Sequence, residues 1–275
     1  MWRLDGAVGE AQSRIEAALD AGITLFDTAD IYGPDGAASF GAAEALFGRA
    51  LSASPGRREK MVIATKGGIV FGTPYDQSPT YLAAALDASL ARLQTERIEL
   101  YQIHRPDVLA HPQEVARVLD DAVAAGKIAA VGVSNFTPAQ TRALARFLTV
   151  PIVSTQPELS PLTIAPVFDG TADLALEETM AVLAWSPIAG GRLMNPSDDR
   201  SRGVAALLDV KASEAGVDRA AAACSWIMAH PTRPIPIIGT QNPVRIAEAA
   251  NAFVPRWSRQ EWYAVLQEAM GEKLP

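Results

Sequence analysis

MVIATKGGIVFGTPYDQSPTYLAAALDASLARLQTERIELYQIH runs from Met61 to His104 and carries the pattern that decides the fold. Met61 to Lys66 is a short, mostly apolar run of strand length. Thr80 to Gln94 then repeats its apolar residues at helical spacing, and Ile98 to His104 is a second apolar strand. Strands that stay apolar on both sides are covered on both faces, which is the mark of a parallel sheet under helices.

The alternation extends outward from this unit. Toward the N-terminus, Ala42 to Leu51 reads as a helix, ITLF as a short buried strand, and Gly9 to Gly22 as a helix with Ala11, Ile15, Ala18 and Leu19 on one face. MWRL, at the very start, would be the first strand. Toward the C-terminus, PQEVARVLDDAVAAGK is a helix with Pro112 near its start and Gly126 at its end. The strand Ile128 to Ser134, the helix PAQTRALARFL, and the strands PIVSTQ and TMAVLAWSP follow. Two helical stretches between Gly203 and His230, the strand PIPIIG and a helix from Pro243 to Phe253 come next. A last amphipathic helix in SRQEWYAVLQEAM sets Trp262, Leu266 and Met270 on one side. Eight candidate strands favour an α/β fold of the closed (β/α)8 TIM barrel type. A doubly wound open sheet is the competing architecture, but no G-x-G-x-x-G follows the first strand. Neither a Pro/Gly/Ser-rich linker nor an internal repeat divides the chain, so residues 1–275 are expected to form a single domain.

Composition narrows the function. The 275 residues are 49% hydrophobic and 20% charged, ordinary values for a globular chain. The net charge of -7 argues against a protein that tracks a nucleic-acid backbone. A single cysteine, Cys224, leaves no internal disulfide and suits a reducing compartment. There is no long apolar span and no signal-peptide pattern, so the expectation is a soluble, cytoplasmic protein with no membrane or nucleic-acid partner. The chain has three histidines, none paired at H-x-H or H-x-x-x-H spacing, so no metal site is expected. His111 and His230 stand beside prolines and read as structural or solvent-facing.

In a barrel, residues just past the C-terminal strand ends share one face. The strand ending at Phe26 delivers Asp27 and then Tyr32. The next strands deliver Lys66, His104, Ser134 with Asn135, Gln156, and Ser186. A phenol near its usual pKa of about 10 is a poor acid at neutral pH, and a buried lysine beside it would lower that value. Asp27 would keep Lys66 charged, and His104 could orient a substrate oxygen. This set can protonate an oxygen that becomes negative, but it supplies no hydride, so a reduction would need a cofactor. Singly, each residue could be a surface ion pair or a satisfied buried group. A Schiff-base aldolase with Lys66 as nucleophile is one rival, although a paired Asp27 would hold that lysine unreactive. A slow regulatory or sensor module that binds NADP(H) on the same barrel is another.

FDTADIYG, the TK ending at Lys66, LYQIHRPD, VGVSNF, STQPELSPL and AWSPIAGGRL, in this order, resemble the aldo-keto reductase family, most nearly its compact bacterial members. The resemblance runs from Trp2 to about Phe253. It implies an NADPH-dependent reductase of aldehydes or ketones. Tyr32 would be the general acid, Lys66 and Asp27 would tune it, and His104 would orient the substrate. Ser134, Asn135 and Gln156 match positions that hold the nicotinamide carboxamide, and Trp185 matches the aromatic that stacks on the ring. Ser186, Pro187, Ile188, Gly190, Gly191 and Arg192 resemble the loop around the pyrophosphate. Gly239, Thr240, Gln241, Arg245 and Glu248 fall in the segment that holds the adenosine 2'-phosphate and the adenine. Gly239 stands where many relatives place a lysine, and Ala249 where many place an asparagine. The cofactor is therefore expected to be NADP(H), with NAD(H) as the alternative and the margin between them reduced. The family's N-terminal closing hairpin has no obvious counterpart before MWRL. Substrate choice would rest on the loops Phe71 to Pro79, Arg105 to Pro112 and Leu159 to Glu178.

Overall fold

A computed structural model describes residues 4–33, 35, 39–54 and 56–275. Seven strands occur among them: β1 (Leu25–Asp27), β2 (Val62–Gly67), β3 (Ile98–Ile103), β4 (Ile128–Ser134), β5 (Ile152–Gln156), β6 (Ala181–Trp185) and β7 (Ile235–Ile237). Their hydrogen-bonding order follows chain order from β1 to β7. MWRL, expected as an eighth, lies outside the described residues except for Leu4, which is in no strand.

The chain divides into two compact units. The first comprises Met1–Thr155 and Gly239–Pro243, the second Gln156–Ile238 and Val244–Pro275. In the first, β1 to β4 form one parallel ladder. α1 (Val8–Asp20) precedes β1, and after the successive strands come α2 (Ala42–Ser52), α3 (Pro79–Leu93), α4 (Pro112–Ala124) and α5 (Pro138–Ala145). These helices start where local chemistry starts them. Ser78 accepts from the Tyr81 amide with Pro79 in the first turn, and Thr137 and Gln140 form a capping box. Ile63, Ile98, Ile103, Val131 and Val133 are wholly or almost wholly buried, which explains why these strands read as unbroken apolar runs.

Register decides what shares a face. Asp27 pairs with Ala64, Lys66 with Gln102, and Gln102 with Gly132. Side chains alternate along a strand, so Asp27, Lys66 and Gln102 point to the same side of the ladder. Gly132 sits in that row for a steric reason. A Cβ there would lie 2.2 Å from the Ser154 hydroxyl and 3.0 Å from the Gln102 side chain.

In the second unit, β6 and β7 pair in parallel, with Leu183 opposite Ile235. Its helices are α6 (Thr171–Glu177), α7 (Asp199–Ala215), α8 (Arg219–Met228), α9 (Pro243–Glu248) and α10 (Arg259–Met270). Capping boxes open α7 (Asp198 with Ser201) and α10 (Ser258 with Glu261). Trp226 of α8 and Trp262 of α10 stack with centroids 4.7 Å apart, and each indole N–H donates to the other residue's carbonyl. Trp262 is thus a pinned core contact. Val265, Leu266 and Ala269 are the fully buried side of α10.

Two elements depart from the sequence reading. The stretch Leu159 to Glu178, read as loop, contains α6. This helix has only seven residues and no side-chain cap, so its signal was weak. The helix expected over Pro243 to Phe253 is α-helical only to Glu248 and continues as a tighter 3-10 turn from Ala249 to Phe253.

Candidate active site

The strand ends of the first unit bring four polar side chains together. Lys66, fully buried, donates to Asp27 Oδ2 at 2.6 Å and to the Thr28 carbonyl at 2.7 Å. Its ammonium lies 5.1 Å from the centre of the Tyr32 ring. The His104 ring meets Tyr32 edge-on, with centroids 5.6 Å apart and planes at 83°. Tyr32, Lys66, Asp27 and His104 therefore form one cluster, as their strand-end positions require.

The backbone holds this cluster in place. Beyond β1 the chain keeps following β2: the Thr28 amide donates to Ala64 and the Asp30 amide to the Lys66 carbonyl. A turn then closes from the Tyr32 amide to Ala29, and the Ala43 amide of α2 donates to the Tyr32 carbonyl. His104 is fixed by its amide on the Gly67 carbonyl at 3.0 Å. Gln102, on the same face as Lys66, donates to Asp27 Oδ1 at 3.3 Å. Both carboxylate oxygens of Asp27 thus have donors on β2 and β3.

Burial and charge set the protonation states. Burial works against the Lys66 charge, but Asp27 and then Tyr32 outweigh it and hold the ammonium above its usual range. Burial raises the Tyr32 hydroxyl, and Lys66 pulls it back only in part. The net shift is upward, where the sequence reading expected a fall. The phenol therefore keeps its proton at neutral pH. Burial, then the positive charges of Lys66 and Arg105, push His104 well below its usual range. Its ring is neutral near pH 7, with one donor and one acceptor nitrogen. Nδ1 is buried without a hydrogen-bond partner among the described residues.

Ser134 and Asn135 follow in the same unit. The Asn135 side-chain amide donates to the Ser134 hydroxyl at 3.0 Å and to the His104 carbonyl at 3.2 Å. Asn135 takes a left-handed backbone (φ 57), which asparagine tolerates better than most residues. Gly239, Thr240 and Gln241 lie in the returning segment of this unit. Arg14 of α1 donates to the Gln241 carbonyl at 3.2 Å, and the Asn242 amide to the Thr240 hydroxyl at 3.2 Å.

In the second unit, Gln156 is buried at the end of β5 and Trp185 is half-buried at the end of β6. Backbone hydrogen bonds hold Trp185 to Pro157 and Leu159. After Trp185 the chain turns through four left-handed residues, Ser186, Ala189, Gly190 and Gly191. The Ser186 hydroxyl accepts from the Gly190 amide at 2.7 Å, closing the loop on itself. No atom lies within 4 Å of a Cβ placed on Gly191, so its backbone faces open space that a phosphate could approach. Pro187 and Ile188 line this loop. Arg192 is exposed, its guanidinium donating to the Ala189 carbonyl at 3.4 Å. Arg245 and Glu248 are exposed on α9.

His111 and His230 are structural. His111 caps α4 by accepting from the Gln113 amide, and His230 lies 2.9 Å from the Thr232 hydroxyl. Among the described residues no group of three or more metal-type ligands occurs. No described helix is long and apolar enough to cross a membrane. Two polar groups beside the cluster escaped the sequence reading: Gln102, and Asp30 with its neighbour Glu44. Gln102 is a polar residue on the buried part of β3, and Asp30 sits inside FDTADIYG itself, so both signals were present in the sequence.

A phenol, an ammonium, a carboxylate and an imidazole thus gather at and just beyond adjoining parallel-strand ends, and comparison with known proteins gives the class and the family. The Aldo/keto reductase family model matches residues 5–267. The chain belongs to the aldo-keto reductase family and is an oxidoreductase of that type with its (β/α)8 fold. It is 55% identical to a 6-dehydroglucose reductase of Novosphingobium aromaticivorans, over all of this chain and 91% of that one. It is 36% identical to a 6-dehydroglucose reductase of Agrobacterium fabrum, over all of this chain and 94% of that one. Among solved structures, the glycerol dehydrogenase AKR11B4 of Gluconobacter oxydans superposes with a TM-score of 0.84 at 26% identity, covering 99% of this chain and 90% of that one.

Proposed function

We propose that this protein is an NADPH-dependent aldehyde reductase acting on small polyhydroxylated aldehydes, with 6-dehydroglucose as the first candidate. The observation that carries the reading is the buried Lys66–Asp27 pair set against Tyr32, with a neutral His104 edge-on to the same ring. The substrate class follows from the two relatives above, both named 6-dehydroglucose reductase. Reduction of that sugar's aldehyde at C6 gives glucose.

The nicotinamide supplies the hydride when bound. Tyr32 supplies the proton to the carbonyl oxygen as negative charge develops there, a role for which a protonated phenol beside a fixed ammonium is suited. Lys66 keeps its charge through Asp27 and stabilises the phenolate left behind. His104 orients the carbonyl by a hydrogen bond from its neutral ring. Ser134, Asn135 and Gln156 are assigned to the carboxamide, and Trp185 to the flat face of the ring. The open glycine backbone at 190–191, with Ser186, Pro187, Ile188 and Arg192, is assigned to the pyrophosphate. Gly239, Thr240, Gln241 and Arg245 are assigned to the 2'-phosphate and Glu248 to the adenine. Because α9 spans only six residues, the preference for NADP(H) over NAD(H) is assigned to Arg245 and Thr240. The filled tetrad argues against a purely regulatory binder. A buried free thiol, with Cys224 pushed up to about 12 by burial, fits a reducing cytoplasm.

The test is NADPH consumption, followed by its near-ultraviolet absorbance, with 6-dehydroglucose, glyceraldehyde and a simple ketone. Fastest turnover is expected on 6-dehydroglucose. Absence of turnover on every aldehyde would overturn the reductase reading. Turnover confined to the ketone would overturn the substrate class.

A further inference from the structure

Among the buried titratable groups that the mechanism above leaves unused, Asp30 lies nearest the acid in the chain. Asp30 has 0% exposure, and among the described residues neither of its carboxyl oxygens has a side-chain hydrogen-bond partner, the adjacent Ile31 amide being the one backbone group that acts on it. It lies two residues before Tyr32, and its amide is bonded to the Lys66 carbonyl. Its carboxyl packs over Gly67: a Cβ on that glycine would lie 3.3 Å from Asp30 Oδ2 and 2.1 Å from the Tyr101 hydroxyl. The Tyr101 hydroxyl is itself buried without a partner among the described residues.

The surrounding charges leave Asp30 without a counter-ion. Arg92 of α3 is taken by Glu44 of α2 at 2.7 Å, and Glu44 also accepts from the Thr65 hydroxyl. Lys66 of β2 is taken by Asp27 and the Thr28 carbonyl. Tyr101 of β3 and Tyr81 of α3, the remaining titratable groups facing it, bring no positive charge. An unpaired carboxylate beside a second carboxylate, out of water, is costly, so such a group keeps its proton.

We propose that Asp30 is a positioning residue that tunes the acid: it is neutral while the site works as a reductase, and once ionised its charge makes Tyr32 a weaker proton donor. This rests on the reading of Tyr32 as the acid. Burial, then Glu44, raise Asp30 to about 7, while Arg92, the Ile31 amide and Lys66 pull the other way. An ionised Asp30 in turn raises Tyr32. As the pH climbs through neutrality Asp30 gives its proton to solvent, Tyr32 holds its own more tightly, and carbonyl reduction slows.

The experiment compares the full-length wild type with Asp30→Asn, which keeps the shape and removes the titration. Wild-type kcat for aldehyde reduction should fall about threefold to tenfold across an inflection near neutrality, the effect of one nearby charge. Asp30→Asn should lose that inflection. A readout free of turnover is the ionisation of Tyr32, followed by NMR of labelled tyrosine and assigned with Tyr32→Phe. It should move to lower pH in Asp30→Asn. If that variant does not fold, Glu44→Gln, outside the catalytic cluster, should shift the wild-type inflection downward. An unchanged inflection in Asp30→Asn or Glu44→Gln, or an unmoved Tyr32 titration, would overturn the proposal. If no aldehyde is reduced at all, the reductase reading fails, and the Tyr32 titration still decides the role of Asp30.

Discussion

Removing Lys66 should cost more stability than any surface ion pair of this protein, and the cost should be shared with Asp27. In Lys66→Met the buried Asp27 loses its 2.6 Å cationic partner, and the Gln102 amide at 3.3 Å brings no charge to replace it. In Asp27→Asn the fully buried ammonium loses its charged partner and keeps neutral oxygens, the Thr28 carbonyl at 2.7 Å among them. Leaving one member of a buried pair uncompensated costs about 3–5 kcal/mol. The double variant leaves no charge stranded, so its cost should fall short of the sum of the singles by about 1–3 kcal/mol. Urea denaturation of the four proteins, with midpoints and slopes, measures this. Costs that add to within about 0.5 kcal/mol would mean the two charges do not stabilise each other. The account of a fixed, charged Lys66 would then fail, whatever the protein catalyses.

Stability should depend on pH through two groups that act in opposite senses. His104 is depressed below its usual 6.5, so the unfolded chain binds the extra proton and its contribution is lost as pH falls below that value. Asp30 is raised from 3.8 to about 7, so its contribution is present below that window and is lost as pH rises through it. Relative to wild type, Asp30→Asn should therefore gain stability steadily between those values, by on the order of 4 kcal/mol at most. Denaturation curves at acid and neutral pH check both signs, and a difference that stays flat with pH would refute the Asp30 assignment. For the cofactor, Arg245→Ala should weaken NADPH binding about tenfold to a hundredfold and leave NADH nearly unchanged, as loss of one charge-assisted contact requires. Fluorescence titration with both cofactors reads this directly, and equal losses would remove Arg245 from the 2'-phosphate.

Much of this was legible because periodicity and chemistry coincide. The apolar runs of β2 to β4 are continuous because both faces are covered, and the polar residue ending each run marks where the site begins. Lys66 and Asp27 could be paired from their strand-end positions, and the register that aligns Lys66 with Gln102 makes that pairing concrete. Other features were hidden. α6 is seven residues long without a side-chain cap, so no periodic signal outweighed its loop-like flanks. The upward shift of Tyr32 depends on how deeply the ring is buried, which a strand-end position does not reveal. The isolation of Asp30 depends on Arg92 pairing with Glu44 across two helices, a contact between residues far apart in the chain.

The central claim is that Tyr32 gives the proton. It is tested most directly by Tyr32→Phe, assayed for both NADPH affinity and single-turnover reduction of the fastest aldehyde. The ring still packs against His104, so the account expects an unchanged cofactor dissociation constant and a rate reduced by about 100- to 10,000-fold. A variant that binds NADPH normally and reduces the aldehyde at the wild-type rate would contradict it and move the acid role to His104.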